Sequence, residues 1–95
     1  MLVKQTYLER VADEVEDFAA RIALLKARLA KQSIGVKMEV YWELEYLRNR
    51  FSEFKLRVEE LENAADEHVD EAEAAVELVW KDLKNALETL LDALA

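Results

Sequence analysis

The chain has 95 residues, of which 53% are hydrophobic and 36% are charged, and this length suits one small domain. It contains one glycine and no proline. Because a sheet protein needs turn residues at each hairpin, this composition excludes a mostly β fold. The residues that dominate it (Ala, Glu, Leu, Lys and Arg) favour helices and predict an all-α protein. The absence of cysteine excludes disulfides, iron–sulfur clusters and thiol catalysis.

The formal net charge is −8, which disfavours nucleic acid and anionic membrane surfaces as partners. Residues 21–57 carry nine basic and four acidic side chains, whereas residues 58–95 carry two basic and twelve acidic ones. This asymmetry predicts that the basic middle of the chain packs beside its acidic end. The N-terminus lacks a hydrophobic signal core, and no apolar run approaches the ~18–20 residues of a membrane span. We therefore expect a soluble, cytoplasmic protein.

The first predicted helix covers residues 7–32. Thr6 and Glu9 have the spacing of a capping box, which would satisfy free N–H groups at the helix start. Apolar residues then follow at alternating intervals of three and four, which places them on one side of a helix. They are Leu8, Val11, Val15, Phe18, Ile22, Leu25 and Leu29.

The second predicted helix covers residues 36–63. It follows Gly35, which is the only glycine and is predicted to form the turn, since glycine readily takes the left-handed conformation that ends a helix. Its apolar stripe has the same spacing as that of the first helix. The members are Val40, Leu44, Leu47, Phe51, Phe54, Val58 and Leu61.

The third predicted helix covers residues 67–93. Asn63 and Asp66 are good N-cap residues, and the apolar register changes between them, which favours a turn. The new stripe consists of Val69, Val76, Val79, Leu83, Leu87, Leu90 and Leu94. Short connections make consecutive helices antiparallel, so the sequence predicts an elongated antiparallel three-helix bundle or coiled coil. We expect Trp80 to fill a core layer, with its indole N–H reaching a polar edge.

A second architecture stays open at this point. If the chain does not turn at Gly35 or near Asn63, a helix of more than 40 residues would need a second chain to cover its apolar stripe. The sequence therefore allows a monomer or a dimer.

The terminal motif Trp80-x-x-Leu83-Lys84-x-Ala86 resembles that of a family of small bacterial coiled-coil proteins of unknown function, some loosely labelled as stress-response proteins. Further matching positions are spread along the chain: Tyr7, Phe18, Ile22, Leu25, Ala27, Leu44, Leu47, Leu61 and Ala64. The chain departs from the family pattern at Val69, where the family usually has a second tryptophan. The resemblance implies a helical fold and no catalytic residues.

Nothing in the sequence predicts a catalytic, cofactor or metal site. His68 is the only histidine, and a carboxylate-bridged di-iron site needs Glu-x-x-His pairs, whereas Ala65 lies three residues before His68. The acidic run from Glu59 to Glu77 is interpreted as a solvated turn and helix start. Neither serine has a recognisable catalytic partner. We therefore expect a protein that is not an enzyme.

The best candidate for a contact with a partner is the aromatic group Tyr41, Trp42 and Tyr46, because aromatic side chains are common anchors at interfaces. Trp42 and Tyr46 are i,i+4 neighbours and are expected to pack on each other. The alternative is that all three cover the end of the bundle. The preferred functional hypothesis is a structural or protein-interaction bundle that associates with itself or with another helical protein. The alternative is an amphipathic protein that reversibly associates with lipid or client surfaces under stress.

Overall fold

The computed structural model describes the backbone of residues 2–95 and the side chains of residues 4–95. Within this range the protein is all-α, and it forms an elongated bundle of 50 × 20 × 16 Å. This confirms the predicted fold class. The helices are α1 (Leu2–Ala30), α2 (Ile34–Glu39), α3 (Tyr41–Glu62) and α4 (Val69–Ala93), and a short 3₁₀ helix (Asp66–His68) precedes α4.

Helix α1 begins before the predicted start at Tyr7. The backbone is already helical at Leu2, so Thr6 and Glu9 lie in the interior of α1 and the predicted capping box is wrong. No Gly or Pro interrupts residues 2–6, and helix formation therefore continues through Thr6.

The first turn lies before Gly35 rather than at it. The N–H groups of Lys31 and Gln32 bond to carbonyls of the last turn of α1, and the Ser33 hydroxyl then accepts a bond from the Val36 N–H at 3.3 Å. Ser33 is thus the N-cap of α2. Gly35 is helical without a positive φ, so the prediction that it forms a left-handed turn is wrong.

The second predicted helix is divided at Val40. This residue has φ −96° and ψ 4°, which interrupts regular helix geometry between α2 and α3. Its N–H still donates to Val36 O at 3.2 Å, and its carbonyl still accepts from the Leu44 N–H at 3.0 Å. Val40 is therefore a local distortion, and α2 and α3 continue in one general direction.

The chain turns again between α3 and α4. The Asn63 side-chain amide donates to Glu59 O at 3.0 Å, so Asn63 closes the end of α3 rather than capping the helix that follows. Asp70 and Glu71 occupy the first turn of α4, where negative charge stabilises a helix start. Because both connections reverse the chain, the long-helix alternative is wrong for this structure.

Helix α4 supplies the largest share of the core. The buried residues on its inner face are Val69, Val76, Val79, Trp80, Leu83, Leu87, Leu90 and Leu91. They pack against one heptad position of α1 and one of α3. The buried members are Val11, Phe18 and Leu25 on α1, and Leu47, Phe54 and Leu61 on α3. Burial of each such side chain stabilises the fold by about 1.5–3 kcal/mol.

Four aromatic side chains form a layer near the middle of the bundle. The Trp80 ring lies 5.4 Å from Phe18 and 5.0 Å from Phe54, and Phe18 stacks on Phe51 at 5.8 Å. The backbones of α3 and α4 approach each other closely along their length, whereas those of α1 and α3 scarcely approach. Helices α1 and α3 therefore meet through long side chains and leave a groove between them.

Candidate interaction surfaces

The α1–α3 groove is an apolar concavity with a volume of about 630 Å³. Its apolar lining includes half-buried side chains from both helices. The lining residues are Val15, Phe18, Ala19, Ile22, Ala23, Leu25, Lys26, Leu29, Leu44, Leu47, Arg48 and Phe51.

The heptad pattern explains the position of the groove. Each stripe has two alternating positions, and on both α1 and α3 only one of them is turned fully toward α4. The other position remains half buried, as at Val15 and Ile22 on α1 and at Leu44 and Phe51 on α3. Since each stripe is wider than the contact it makes, α1 and α3 present apolar surface to a further helix.

Small side chains lie along the α1 rim of the groove. Ala19 and Ala23 are exposed, so at these two positions another helix could approach closely. Lys26 and Arg48 are exposed at one end of the groove, and Arg48 lies 3.3 Å from Glu45 on its own helix.

Charge is divided along the bundle on either side of the aromatic layer. The half that contains residues 21–50 and 81–95 has nine basic and six acidic side chains, whereas residues 4–20 and 51–80 contain four basic and fifteen acidic ones. We call these the basic half and the acidic half. The excess of acidic side chains is therefore confined to one half of a molecule 50 Å long, and the other half has an excess of basic ones.

Ion pairs between helices involve both neighbours of α4. Arg10 lies 3.9 Å from Glu77 and Arg21 lies 3.8 Å from Glu88, and both pairs join α1 to α4. Arg50 on α3 lies 4.0 Å from Asp82. The acidic α4 thus pairs with arginines of α1 as well as with the basic middle of the chain, and each exposed pair contributes only ~0–1 kcal/mol.

A second apolar surface lies at the basic end and is formed by Ile34, Met38, Tyr41 and Trp42. We call it the tip cluster. Ile34 is 78% exposed, Met38 71% and Trp42 76%. The rings of Tyr41 and Trp42 contact each other edge to face at 5.0 Å. Such a patch of large exposed side chains is typical of a contact site.

Tyr46, the third aromatic residue predicted for partner contact, is 46% exposed and is tied to α4 by a hydrogen bond. Its hydroxyl donates to the Asp82 carboxylate on α4 at 2.6 Å, and the Arg50 guanidinium lies 5.7 Å from its ring. The hydrogen bond to Asp82 raises the pKa of Tyr46. Tyr46 and Trp42 line one shallow pocket, but the ring contact of Trp42 is with Tyr41. The sequence could not show this division, because the i,i+4 rule does not include partners on other helices.

Trp80 is buried, but the expected polar partner for its indole N–H is absent among residues 4–95. The two flanking phenylalanines surround the indole, and Lys84 Nζ lies 5.7 Å from the ring centroid. The expectation that the N–H reaches a polar edge is therefore wrong.

A partly buried hydrogen bond joins α1 to α4 near the acidic end. The Tyr7 hydroxyl donates to Glu77 Oε1 at 2.5 Å. Burial raises the pKa of Tyr7 well above its usual value, and the bond to Glu77 raises it further. No sequence motif indicated this pair, which is separated by 70 positions.

Two further findings concern metals and membranes. Among residues 2–95, no group of three or more His, Cys, Asp or Glu side chains is placed to hold a metal ion. His68 is exposed and lies 3.8 Å from Glu67 and 3.9 Å from Glu71. No helix in the described part of the chain is long and apolar enough to cross a membrane.

Comparisons of the chain with models of known protein families, with curated proteins and with solved structures give no match. The resemblance to small coiled-coil proteins stays a prediction. The case for a function therefore depends on the surfaces described above.

Proposed function

We propose that this protein is a non-enzymatic interaction bundle whose α1–α3 groove receives a helix from a partner. The single observation that carries the proposal is the groove itself, which exposes one heptad position of each of two adjacent helices. Helices with such stripes associate by inserting side chains into one another's surface.

The shape of the groove fits an extended helical partner better than a small reactant. Its lining is mostly aliphatic and aromatic, and the charged side chains in it are Lys26 and Arg48. An enzyme site needs several convergent polar groups, and this lining does not supply them.

Site-specific photocrosslinking tests this proposal. A benzoylphenylalanine at Ala23 would lie on the groove rim, whereas one at Asp17 would lie on the α4 side of α1, beside Lys84; both residues are exposed. We expect a discrete crosslinked product in cells from position 23 and none from position 17. Equal labelling from both positions would count against the groove as a binding site.

The tip cluster favours a second candidate function, which is reversible association with a lipid surface. Its exposed Trp42 and Met38 are accompanied by Lys31 and Lys37, and interfacial segments combine such apolar and basic side chains. The net charge of −8 opposes this association, while the basic half would orient the tip toward an anionic surface.

Vesicle co-sedimentation tests the second candidate. We expect the wild-type protein to bind vesicles that contain phosphatidylserine, and Trp42→Ala to lose most of this binding. Leu78→Ala is a matched control, because Leu78 is 73% exposed on α4 outside the tip cluster. Equal binding by both variants, or none by the wild type, would remove this candidate.

A further inference from the structure

We infer that the partner in the α1–α3 groove is a second copy of this chain, bound antiparallel about a two-fold axis near the aromatic layer. This inference rests on the proposed function and identifies the occupant of the same groove. The charges at the two ends of the groove and the shape of its rims support a second copy as the occupant.

Half-buried apolar residues continue the line of the groove past the aromatic layer, through Leu8 on α1 and Val58 on α3. The two ends of this extended groove have opposite charge. At one end, Lys26 and Arg48 are exposed in the lining. Toward the other end, Glu62 occupies the heptad position of Arg48, and Glu9 occupies that of the groove residue Ala23. Glu9 and Glu62 are both exposed.

Local partners reduce these charges without reversing them. Glu45 is paired with Arg48 at the basic end, so Lys26 remains the uncompensated cation there. At the acidic end, Lys4 Nζ donates to the carbonyls of Glu62 and Ala64. The carboxylates of Glu9, Glu59 and Glu62 still outnumber this single lysine.

A two-fold axis across the groove would place the basic end of each copy against the acidic end of the other. The same rotation would bring the basic half of one bundle beside the acidic half of the other along their whole length. A parallel arrangement would instead juxtapose like charges. Opposite charge therefore selects the antiparallel pair, as it does in coiled coils.

The apolar surface of the groove is self-complementary under this rotation. Large side chains such as Ile22 and Phe51 alternate along the groove with the exposed small residues Ala19 and Ala23, and the exposed Ala12 occupies the heptad position of Ala19 on the other side of the aromatic layer. An antiparallel copy would insert its large residues beside the partner's alanines, which is how an isologous interface is built.

Charge exchange combined with sedimentation equilibrium tests this arrangement. One double variant, Lys26→Glu with Arg48→Glu, makes both ends of the groove acidic. The other, Glu9→Lys with Glu62→Lys, makes both ends basic. We expect each alone to dimerise at least about tenfold more weakly than the wild type, because rim contacts become repulsive. An equimolar mixture should recover wild-type affinity as a heterodimer.

A matched control distinguishes the effect of charges in the groove from the effect of the net charge of the protein. Lys31→Glu with Lys81→Glu changes the net charge by the same amount as the first variant, but both lysines are exposed outside the groove lining. We expect this control to dimerise within about twofold of the wild type at 0.15 M salt, where distant charges are screened.

These experiments distinguish failure of the second-copy inference from failure of the proposed function. A wild-type mass of 11.0 kDa at all concentrations would overturn the second-copy inference. The proposed function would survive that result if position 23 crosslinks to a different protein, and it would fail with the inference if position 23 gives no product. A dimer that neither double variant weakens, or that the mixture does not restore, would overturn the antiparallel arrangement alone.

Discussion

The α3–α4 contact and the α1–α3 groove are made from the same kind of heptad stripe, yet the first is closed and the second is open. On α3, Leu47 and Phe54 are buried against α4, while Leu44 and Phe51 remain half buried beside the groove. The difference lies in the partner. Helix α4 has a broad, continuous apolar face that fills the space between its neighbours, and nothing equivalent occupies the opposite side.

This comparison shows that one stripe can serve two purposes. The heptad position that faces α4 stabilises the bundle, and the alternate position remains available for association. If this is correct, substitutions on the closed side should lower the free energy of unfolding, while those on the open side should mainly affect binding. Single substitutions on the two sides therefore distinguish the two roles.

The largest difference in the free energy of unfolding is expected between substitutions of the two tryptophans. Trp80 is 6% exposed and contacts Phe18 and Phe54, so Trp80→Ala should lower the free energy of unfolding by about 3–5 kcal/mol. Trp42 is 76% exposed, and Trp42→Ala should change it by less than about 0.5 kcal/mol. Urea denaturation followed by circular dichroism measures both values.

A milder variant keeps this test informative if Trp80→Ala does not fold. Trp80→Phe retains a ring between the two phenylalanines and removes the unpartnered N–H, so its cost should be only about 1 kcal/mol. A Trp42→Ala cost equal to that of Trp80→Ala would show that the tip is part of the core.

Two leucines provide a comparison with identical chemistry. Leu87 is fully buried on α4, and Leu87→Ala should cost about 2–5 kcal/mol. Leu29 is half buried in the groove, and Leu29→Ala should cost about 1 kcal/mol or less in dilute protein. Thermal and urea unfolding at micromolar concentration give these numbers.

The two leucine variants should also differ in how their unfolding free energies depend on protein concentration. If a second copy covers the groove, the cost of Leu29→Ala should grow as concentration rises, because the wild type gains stability by association. The cost of Leu87→Ala should change less. A Leu29→Ala cost that is as large as that of Leu87→Ala in dilute protein would show that the groove is closed in solution.

The contact between Tyr7 and Glu77 should give a pH-dependent contribution at the α1–α4 side. Tyr7→Phe removes the hydroxyl and should cost about 1 kcal/mol at pH 7. Because the pKa of Tyr7 is raised in the folded state, the unfolded chain loses its phenolic proton first as pH rises. The advantage of the wild type should therefore be fully present below pH ~10 and decline above it.

Subtracting the unfolding free energy of Tyr7→Phe from that of the wild type removes the pH-dependent contributions of all other ionisable groups. All other ionisable groups are the same in the wild type and in Tyr7→Phe. The difference between their unfolding free energies, measured from pH 7 to 11, should narrow only at the alkaline end. A difference that stays constant to pH 11 would contradict the raised pKa.

Much of the fold could be predicted from the sequence because heptad spacing is local information. The stripes that contain Phe18, Phe54 and Leu83 were recognised, and all three residues are buried. The open groove was not predicted. Both apolar positions of a heptad have the same sequence pattern, and only the packing of a third helix determines which of them is buried. The contacts of Tyr46 with Asp82 and of Tyr7 with Glu77 depend on helix register, which sequence spacing within one helix does not specify.

The Gly35 interpretation failed for a different physical reason. Glycine permits a left-handed turn but does not require one, and the Ser33 hydroxyl offered a competing start for α2. A cap supplies a hydrogen bond to a helix N–H, whereas a turn at glycine supplies only conformational freedom. Local hydrogen bonding therefore decided where the chain turns.

Gly35→Ala should have a small effect, and it is the one substitution expected to raise the free energy of unfolding. Gly35 has no positive φ, and an added Cβ would meet only Ser33 Oγ at 3.9 Å, an ordinary contact. Alanine would reduce the freedom of the unfolded chain without strain in α2, so unfolding free energy should rise by about 0.4–1 kcal/mol. Ser33→Ala is the companion variant and should lower it by ~1 kcal/mol through loss of the cap. A left-handed Gly35 would instead make Gly35→Ala destabilising, so urea denaturation of the two variants decides whether serine or glycine sets this turn.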